Sequence, residues 1–197
     1  MSKGDNTRLI ILKKAFHLSY AHGYQLTSVD DIIAQTHVTK GSFYYHFKTK
    51  DAMGIAMIQD VLYPGMHEAL IKPLEASNDP ISDLYDMMKG LLLHNPFFQV
   101  KYGCPAINLI EEMAPVNKRF HKALYALIEK WHDTIAHVIE KGKASGKVHH
   151  NVHGKNVALF ISVGYAGTRN MGKLYGEACY TTYLKELKKY LETLRPH

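Results

Sequence analysis

The stretch TSVDDIIAQTHVTKGSFYYHFKTKD, Thr27 to Asp51, decides the fold of this chain. It has the pattern of two short helices joined by a tight turn, with Ser28 and Thr39 placed to cap their amino ends. The second helix carries apolar residues on one side and aromatic, hydroxyl and basic residues on the other. A short helix that turns such a face to solvent is typical of units that lie in a DNA groove.

The residues around this stretch complete a three-helix unit. A preceding helix has an apolar stripe at helical spacing, formed by Ile11, Leu12, Ala15 and Phe16. Gly23 stands where a left-handed residue ends that helix, and Thr49 stands where a fourth helix begins. The later periodicity is also helical, with helices expected at 50–72, 80–94, 105–114, 117–141, 153–174 and 180–194. The sequence therefore predicts an all-α protein of about nine helices, divided into residues 1–50 and residues 51–197.

Charge and composition narrow the class of protein. The net charge is +6, and residues 1–50 hold seven basic against three acidic residues, so most of the excess lies in the first quarter. This favours a polyanionic partner, although a basic surface alone is also common on soluble proteins. No apolar run approaches the roughly 20 residues that cross a bilayer, and no signal peptide is visible. We therefore expect no membrane partner. Two cysteines make neither a disulfide scaffold nor a four-cysteine zinc site, which fits a reducing cytoplasm.

The second helix of the stretch presents the candidate DNA contacts. If Phe43 and Phe47 share its buried face, the neighbouring polar and aromatic side chains point outward. Candidates for base or phosphate contact are Thr27, Ser28, Thr39, Lys40, Gly41, Ser42, Tyr44, Tyr45, His46 and Lys50. Gly41 would let the backbone approach the DNA closely. The alternative is that Tyr44 and Tyr45 are ordinary core aromatics, but two adjacent tyrosines cannot both face one core.

These motifs resemble the tetracycline-repressor (TetR) family of bacterial regulators. The resemblance rests on G-Y-x-x-T-S after the first helix and on T-K-G-S-F-Y-Y-H-F-K-T-K-D, and it covers residues 8–57. It implies a homodimer that binds a palindromic operator on double-stranded DNA, usually as a repressor, and leaves it when a small-molecule inducer enters a C-terminal ligand-binding and dimerisation domain. It also implies that the family's DNA contacts fall on the ten residues named above.

Two positions depart from the family pattern. Thr36-His37 stands in the turn where the family usually has Ala-Gly, and a non-glycine residue at positive φ there would cost roughly 1 kcal/mol. Ser19 occupies a position where the family tends to place a large apolar residue.

The last two predicted helices carry the candidate dimer interface. Gly164 and Gly167 would let helices pack closely, and Leu184, Leu187 and Leu191 repeat at three- and four-residue steps. The resemblance favours a four-helix interface between two copies, and packing within one chain is the alternative.

Candidate ligand residues lie between these regions. The segment from Gly103 to Met113 resembles a G-C-x-x-x-N-L-x-x-E pattern of one group of TetR regulators, some of which respond to reactive compounds. Cys104 at a helix amino end is a candidate sensor of electrophiles or oxidants, or else a buried structural cysteine. The other ligand candidates are Phe97, Trp131 and Tyr165 as apolar walls, and Asn108, Glu111, His132 and Arg169 as polar anchors. For each wall residue the alternative, which the residue type alone favours, is an ordinary place in the core.

Other functions are less favoured by the sequence. His149, His150 and His153 share one loop, but solvated histidines are a simpler explanation than a metal site, and we expect neither metal nor cofactor. No motif pairs Cys104 with a histidine as an enzyme would require, so we expect no catalytic residues. A non-specific architectural DNA-binding protein remains the main alternative to a ligand-responsive regulator, and binding without sequence preference would favour it.

Overall fold

The computed structural model describes residues 3–196, and within them the chain forms helices and no strand. The all-α prediction is therefore confirmed. The six helix ranges predicted beyond residue 50 begin and end within three residues of the observed ones.

Nine helices account for the regular structure of the described residues. They are α1 Lys3–His22, α2 Val29–Ala34, α3 Lys40–His46, α4 residues 50–75, α5 residues 80–94, α6 Pro105–Met113, α7 Lys118–Ala144, α8 Gly154–Tyr175 and α9 Ala178–Glu192. A short 3₁₀ turn, Val100–Tyr102, lies between α5 and α6. Within residues 3–196 no helix combines the length and the apolar character needed to cross a membrane.

Helix α4 contains two wider turns. Segments Ile58–Leu62 and His67–Ile71 are π-helical, and each precedes a proline, Pro64 or Pro73. Proline has no N–H to give to the carbonyl four residues earlier, and helices relieve that loss by a local change of pitch.

The helix boundaries follow from the predicted caps. The Ser28 hydroxyl accepts the Asp31 N–H while the Asp31 carboxylate accepts the Ser28 N–H, which completes a capping box. The Thr39 and Thr49 hydroxyls accept N–H groups in the first turns of α3 and α4. Gly23, at φ 91°, ends α1, and its N–H donates to the Ser19 carbonyl.

The two departures from the family pattern have separate outcomes. The turn between α2 and α3 closes through a hydrogen bond from the Thr36 N–H to the Ile33 carbonyl at 3.0 Å. No non-glycine residue in the described chain has positive φ, so the strain expected at Thr36-His37 is absent and that expectation was wrong. Ser19 is buried, and its hydroxyl has no hydrogen-bond partner among the described residues.

The chain forms two compact units. The first unit comprises the residues up to Gly65 together with Pro105–Ala126, and its core includes Ile11, Leu12, Ile32 and Phe43. The second unit comprises Met66–Cys104 and the residues from Leu127 onward. These packing units are drawn differently from the division at residue 50, which stays a prediction about where the two functions lie.

Candidate functional site

Helix α3 is held by two phenylalanines. Phe43 is 0% exposed and Phe47 is 3% exposed, and their ring centroids are 5.7 Å apart. The Arg8 guanidinium lies 5.4 Å from the centre of the Phe47 ring. Because one face of a seven-residue helix is fixed in this way, the opposite face is turned to solvent.

The exposed face of α3 carries the predicted contact residues. Tyr45 is 79% exposed and Tyr44 is 42% exposed, so the alternative that both are core aromatics is wrong. A Cβ on Gly41 would meet only the Thr39 hydroxyl, at 4.0 Å, which leaves the backbone open to close approach. Lys40 is exposed, whereas Ser42 and His46 are half-buried. This surface offers hydroxyl, imidazole and ammonium donors of the kinds that contact bases and phosphates.

Lys40 is already paired in the free protein. Its ammonium donates to the Asp30 carboxylate of α2 at 2.9 Å, and this hydrogen bond raises the pKa of Lys40. Both groups are exposed, so the pair adds little stability and can be exchanged for a contact with DNA.

The residues predicted to hold the flanking DNA backbone differ in exposure. Thr27 is buried, and its hydroxyl donates to the Gly23 carbonyl at 2.7 Å, so it supports the turn after α1 instead of facing solvent. Ser28 is exposed, with its hydroxyl bonded to Asp31 at 2.6 Å. The Lys50 ammonium is 4.6 Å from the centre of the Tyr24 ring, and partial burial lowers its pKa.

Glu112, at the end of α6, clamps the turn that leads into α2. Its carboxylate accepts the N–H groups of Tyr24 at 3.2 Å and Gln25 at 3.0 Å, and its carbonyl accepts the Gln25 side-chain amide at 3.3 Å. Sequence reasoning missed this residue and chose Glu111. The last position of the G-C-x-x-x-N-L-x-x-E pattern falls on Glu112, which was the available signal.

A second network fixes the beginning of α4. The Tyr24 hydroxyl donates to the Lys50 carbonyl at 2.9 Å and to the Asp51 carboxylate at 3.2 Å. The Asn117 side chain donates to the other Asp51 oxygen at 2.9 Å. Burial, and then the Asp51 charge, raise the pKa of Tyr24. These contacts fix the turn before α2 and the beginning of α4, and helix α3 lies between them in the chain.

The second unit contains a buried group of donors. Trp131, Tyr165 and Arg169 are each at most 2% exposed. The Trp131 and Tyr165 rings meet edge to face with centroids 5.6 Å apart, and the Arg169 guanidinium lies 5.5 Å from the Tyr165 ring centre. Burial raises the pKa of Tyr165, which also lies beside the thiol of Cys104. The structure therefore brings together four of the eight ligand candidates.

The other four candidates lie outside this group. Phe97 is 71% exposed, and it is the neighbouring Phe98 whose ring centre lies 5.2 Å from the Arg169 guanidinium. His132 is half-buried and shares a 2.8 Å hydrogen bond with the Ser162 hydroxyl. Asn108 and Glu111 belong to the first unit.

Two family models match the chain. The model described as bacterial regulatory proteins, tetR family, matches residues 11–57, and the tetracyclin repressor-like C-terminal domain matches residues 83–186. The chain belongs to the TetR family. It is therefore a helix-turn-helix DNA-binding transcriptional regulator and not an enzyme.

Similar proteins include helix-turn-helix transcriptional regulators, and a solved structure shares the fold. A regulator from the lacX 3' region of Lactococcus lactis is 30% identical over 131 residues, which are 66% of this chain and 67% of the relative. The transcriptional repressor DhaR of a Mycobacterium species is 25% identical over 158 residues, covering 80% of this chain and 77% of DhaR. The solved structure of a TetR-family regulator from Cytophaga hutchinsonii has a TM-score of 0.88 at 20% identity and covers 100% of this chain and 98% of that one.

The candidate dimer residues of this TetR-family protein fall into two groups. Leu184, Leu187 and Leu191 are at most 3% exposed within the single chain, so they pack inward and leave no surface for a second copy. A Cβ on Gly164 would meet the Tyr183 hydroxyl at 2.6 Å, which also indicates packing within the chain. Gly167 is exposed, and its Cβ direction is open.

The loop histidines and the cysteines are not arranged to hold a metal ion. In the part of the chain that the structure describes, no three His, Cys, Asp or Glu side chains are arranged to hold a metal ion. Both cysteines are free thiols, with Cys104 buried and Cys179 half-buried.

Proposed function

We propose that this regulator is a repressor that binds a palindromic operator as a homodimer in the cytoplasm and leaves it when a small-molecule inducer binds the second unit. The observation that carries the proposal is the solvent face of α3, where Lys40, Gly41 and Tyr45 stand opposite two buried phenylalanines. A short helix with exposed donors and an open backbone on one face fits the major groove.

A homodimer is supported by an exposed apolar stripe on α8. Its members recur at three- and four-residue steps and lie on one side of the helix, and they are Phe160, Val163, Gly167, Met171 and Leu174. The four side chains are 46–77% exposed, and contiguous apolar surface of this kind marks interaction sites. Because Gly167 has no side chain, a second copy could approach closely there. This stripe replaces the inward-facing leucines of α9 in the proposed interface.

Two copies are also needed for specificity. One helix of seven residues reaches few base edges, and a dimer reads two half-sites about 34–36 Å apart, one turn of DNA. We propose that the inducer shifts the population between two spacings of the α3 pair, and that α4, which begins in the first unit and ends in the second, transmits the change.

Selection of bound fragments from the source genome tests the operator. At near-physiological salt the protein should enrich one short palindrome, and Tyr45→Ala should lose the enrichment while remaining folded. Tyr125→Ala is the matched control, because Tyr125 is 58% exposed and lies on α7, away from α3 in sequence. Strongly salt-dependent binding with no enriched sequence would instead favour the architectural alternative.

Sedimentation equilibrium tests the dimer. Val163→Glu should convert dimer to monomer at micromolar concentration, because it places a charge in the apolar stripe. Val116→Glu introduces the same charge at a 72% exposed valine of the first unit and should leave the dimer intact. A Val163→Glu protein that stays dimeric would remove α8 from the interface.

The response to reactive compounds remains a separate prediction. It depends on Cys104, which is 0% exposed, so an electrophile would reach the thiol only after local opening. Release from the operator by an electrophile should disappear in Cys104→Ser. An unchanged response in that variant would leave Cys104 a structural residue.

A further inference from the structure

We propose that the buried donors of the second unit bind a small monocarboxylate with an apolar or aromatic tail. The donors belong to Trp131 on α7 and to Tyr165 and Arg169 on α8. The proposal names the ligand class of the inducer and so rests on the proposed function.

The Arg169 guanidinium is a buried charge with no carboxylate beside it. It is 0% exposed, and it donates to the Leu91 carbonyl and, at 3.3 Å, to the Tyr180 hydroxyl. Every ion pair among residues 3–196 is made by other side chains. Neutral acceptors and the faces of three aromatic rings surround the positive charge without supplying a counter-ion, and a buried charge is usually paired with one. An anionic ligand would supply the missing charge.

Three donor atoms of this buried group lack a hydrogen bond of good geometry. Within the described chain they are Arg169 Nε, Tyr165 Oη and Trp131 Nε1, and the neighbours of the Tyr165 hydroxyl are the Cys104 thiol and the Arg169 guanidinium. Buried polar groups are paired in the great majority of proteins, so three unpaired neighbours call for an explanation. Guanidinium and indole N–H groups only donate, and therefore the partner must bring acceptors.

The surroundings select the class of anion. A single guanidinium matches one negative charge, and its planar fork fits the two oxygens of a carboxylate. A phosphate monoester carries about −1.5 to −2 charges at pH 7 and three acceptor oxygens. The rings of Phe98, Tyr165 and Tyr180 lie 5.2–5.5 Å from the Arg169 guanidinium, so the rest of the ligand meets aromatic and apolar surface.

Burial of the donors links binding to a change of structure. All three side chains are closed to solvent in this conformation, so a carboxylate reaches them only after α7 and α8 have repacked locally. A ligand that binds one conformation and not the other shifts the population between them, as an inducer must.

Titration of the full chain with matched probes tests the proposal. The probes are benzoate and butyrate, their neutral analogues benzamide and butyramide, and phenyl phosphate, all at equal ionic strength and pH 7.5. Calorimetry should show each carboxylate binding at least tenfold more tightly than its amide, because a hydrogen bond to a charged group is the stronger one.

Tyr165→Phe and Trp131→Phe should each weaken benzoate binding by about tenfold, and Arg169→Met should abolish it. Arg119→Met, at an exposed arginine of α7, is the control and should bind benzoate like the parent protein.

The outcomes separate this site from the proposed function. Equal binding of carboxylates and amides, preference for phenyl phosphate, absence of binding across the panel, or unchanged affinity in both Tyr165→Phe and Trp131→Phe would each overturn the inference. The two conservative variants decide the matter if Arg169→Met does not fold. Operator binding is measured on the same preparation without probes. Its failure would refute the proposed operator, whereas carboxylate binding that depends on these residues would still support the site.

Discussion

The solvent face of α3 and the donor group around Arg169 satisfy their polar atoms in opposite ways. In the first unit, hydroxyls cap helices, Lys40 pairs with Asp30, and the remaining polar atoms of α3 have access to water. In the second unit, one donor atom each of Trp131, Tyr165 and Arg169 is buried without a hydrogen bond of good geometry. The α3 face can therefore serve DNA binding at little cost to stability, whereas the Arg169 group holds a buried cation without a counter-ion.

The largest expected effect separates folding from DNA contact on α3. Phe43→Ala should lower the free energy of unfolding by about 3–5 kcal/mol, because it empties a fully buried site. Tyr45→Ala, two residues away, should change it by less than about 0.5 kcal/mol, since the side chain is largely in water. Urea denaturation of both variants measures the difference. Similar losses in the two variants would mean that Tyr45 belongs to the core.

The next prediction compares two arginines within the second unit. Arg169→Met should change the free energy of unfolding by less than about 1 kcal/mol, because removal of a buried charge without a counter-ion offsets the loss of its hydrogen bonds to the Leu91 carbonyl and the Tyr180 hydroxyl. Arg195 contacts the Asp79 carboxylate at 3.0 and 3.1 Å, so Arg195→Met should be destabilising by about 1 kcal/mol. If Arg169→Met is the more destabilised variant, an arginine without a carboxylate partner would contribute more to stability than one with such a partner, and the comparison would be contradicted.

Glu112 tests whether the first unit depends on its satisfied hydrogen bonds. Glu112→Ala should lower the free energy of unfolding by about 1–2 kcal/mol, because the Tyr24 and Gln25 N–H groups lose a charged acceptor. Glu112→Gln keeps one carbonyl acceptor and should lose less. The same variants should weaken operator binding, since this turn leads into α2. Unchanged stability of Glu112→Ala would mean that the hydrogen bonds from Tyr24 and Gln25 to Glu112 do not stabilise the first unit.

The smallest effect is a pH dependence from Asp79. The Arg195 hydrogen bond lowers the pKa of Asp79 to about 2, below its usual value of about 3.9. The lowered pKa means that its stabilising contribution is present above about pH 4 and is lost as the pH falls towards 2. Because the carboxylate is partly exposed, we expect Asp79→Asn to lower stability by only about 1 kcal/mol at pH 7, with Asn still capping α5.

Denaturation of the parent protein and of Asp79→Asn at pH 7 and at pH 3 measures this contribution. The difference between the two proteins should shrink at the lower pH. A difference that is the same at both pH values would assign it to the cap and not to the charge.

The sequence predicted α1, α2, α3 and the beginning of α4 in most of their detail because the relevant signals are local. Ser28, Thr39 and Thr49 cap helices that begin one residue later, Gly23 ends α1, and Phe43 with Phe47 fixes which face of α3 is buried. Each feature depends on a few neighbouring residues. The helix ranges of the second unit followed from the same local periodicity.

Only the tertiary structure decided which side chains meet. Leu184, Leu187 and Leu191 form the apolar stripe that the sequence suggested for a dimer, yet periodicity alone cannot say whether such a stripe faces its own chain or a second copy. Glu112 contacts residues almost ninety positions away in the chain, and Arg169 lacks a carboxylate neighbour across several helices. Contacts between residues so far apart in the chain depend on how distant helices pack. Local sequence patterns do not show that packing.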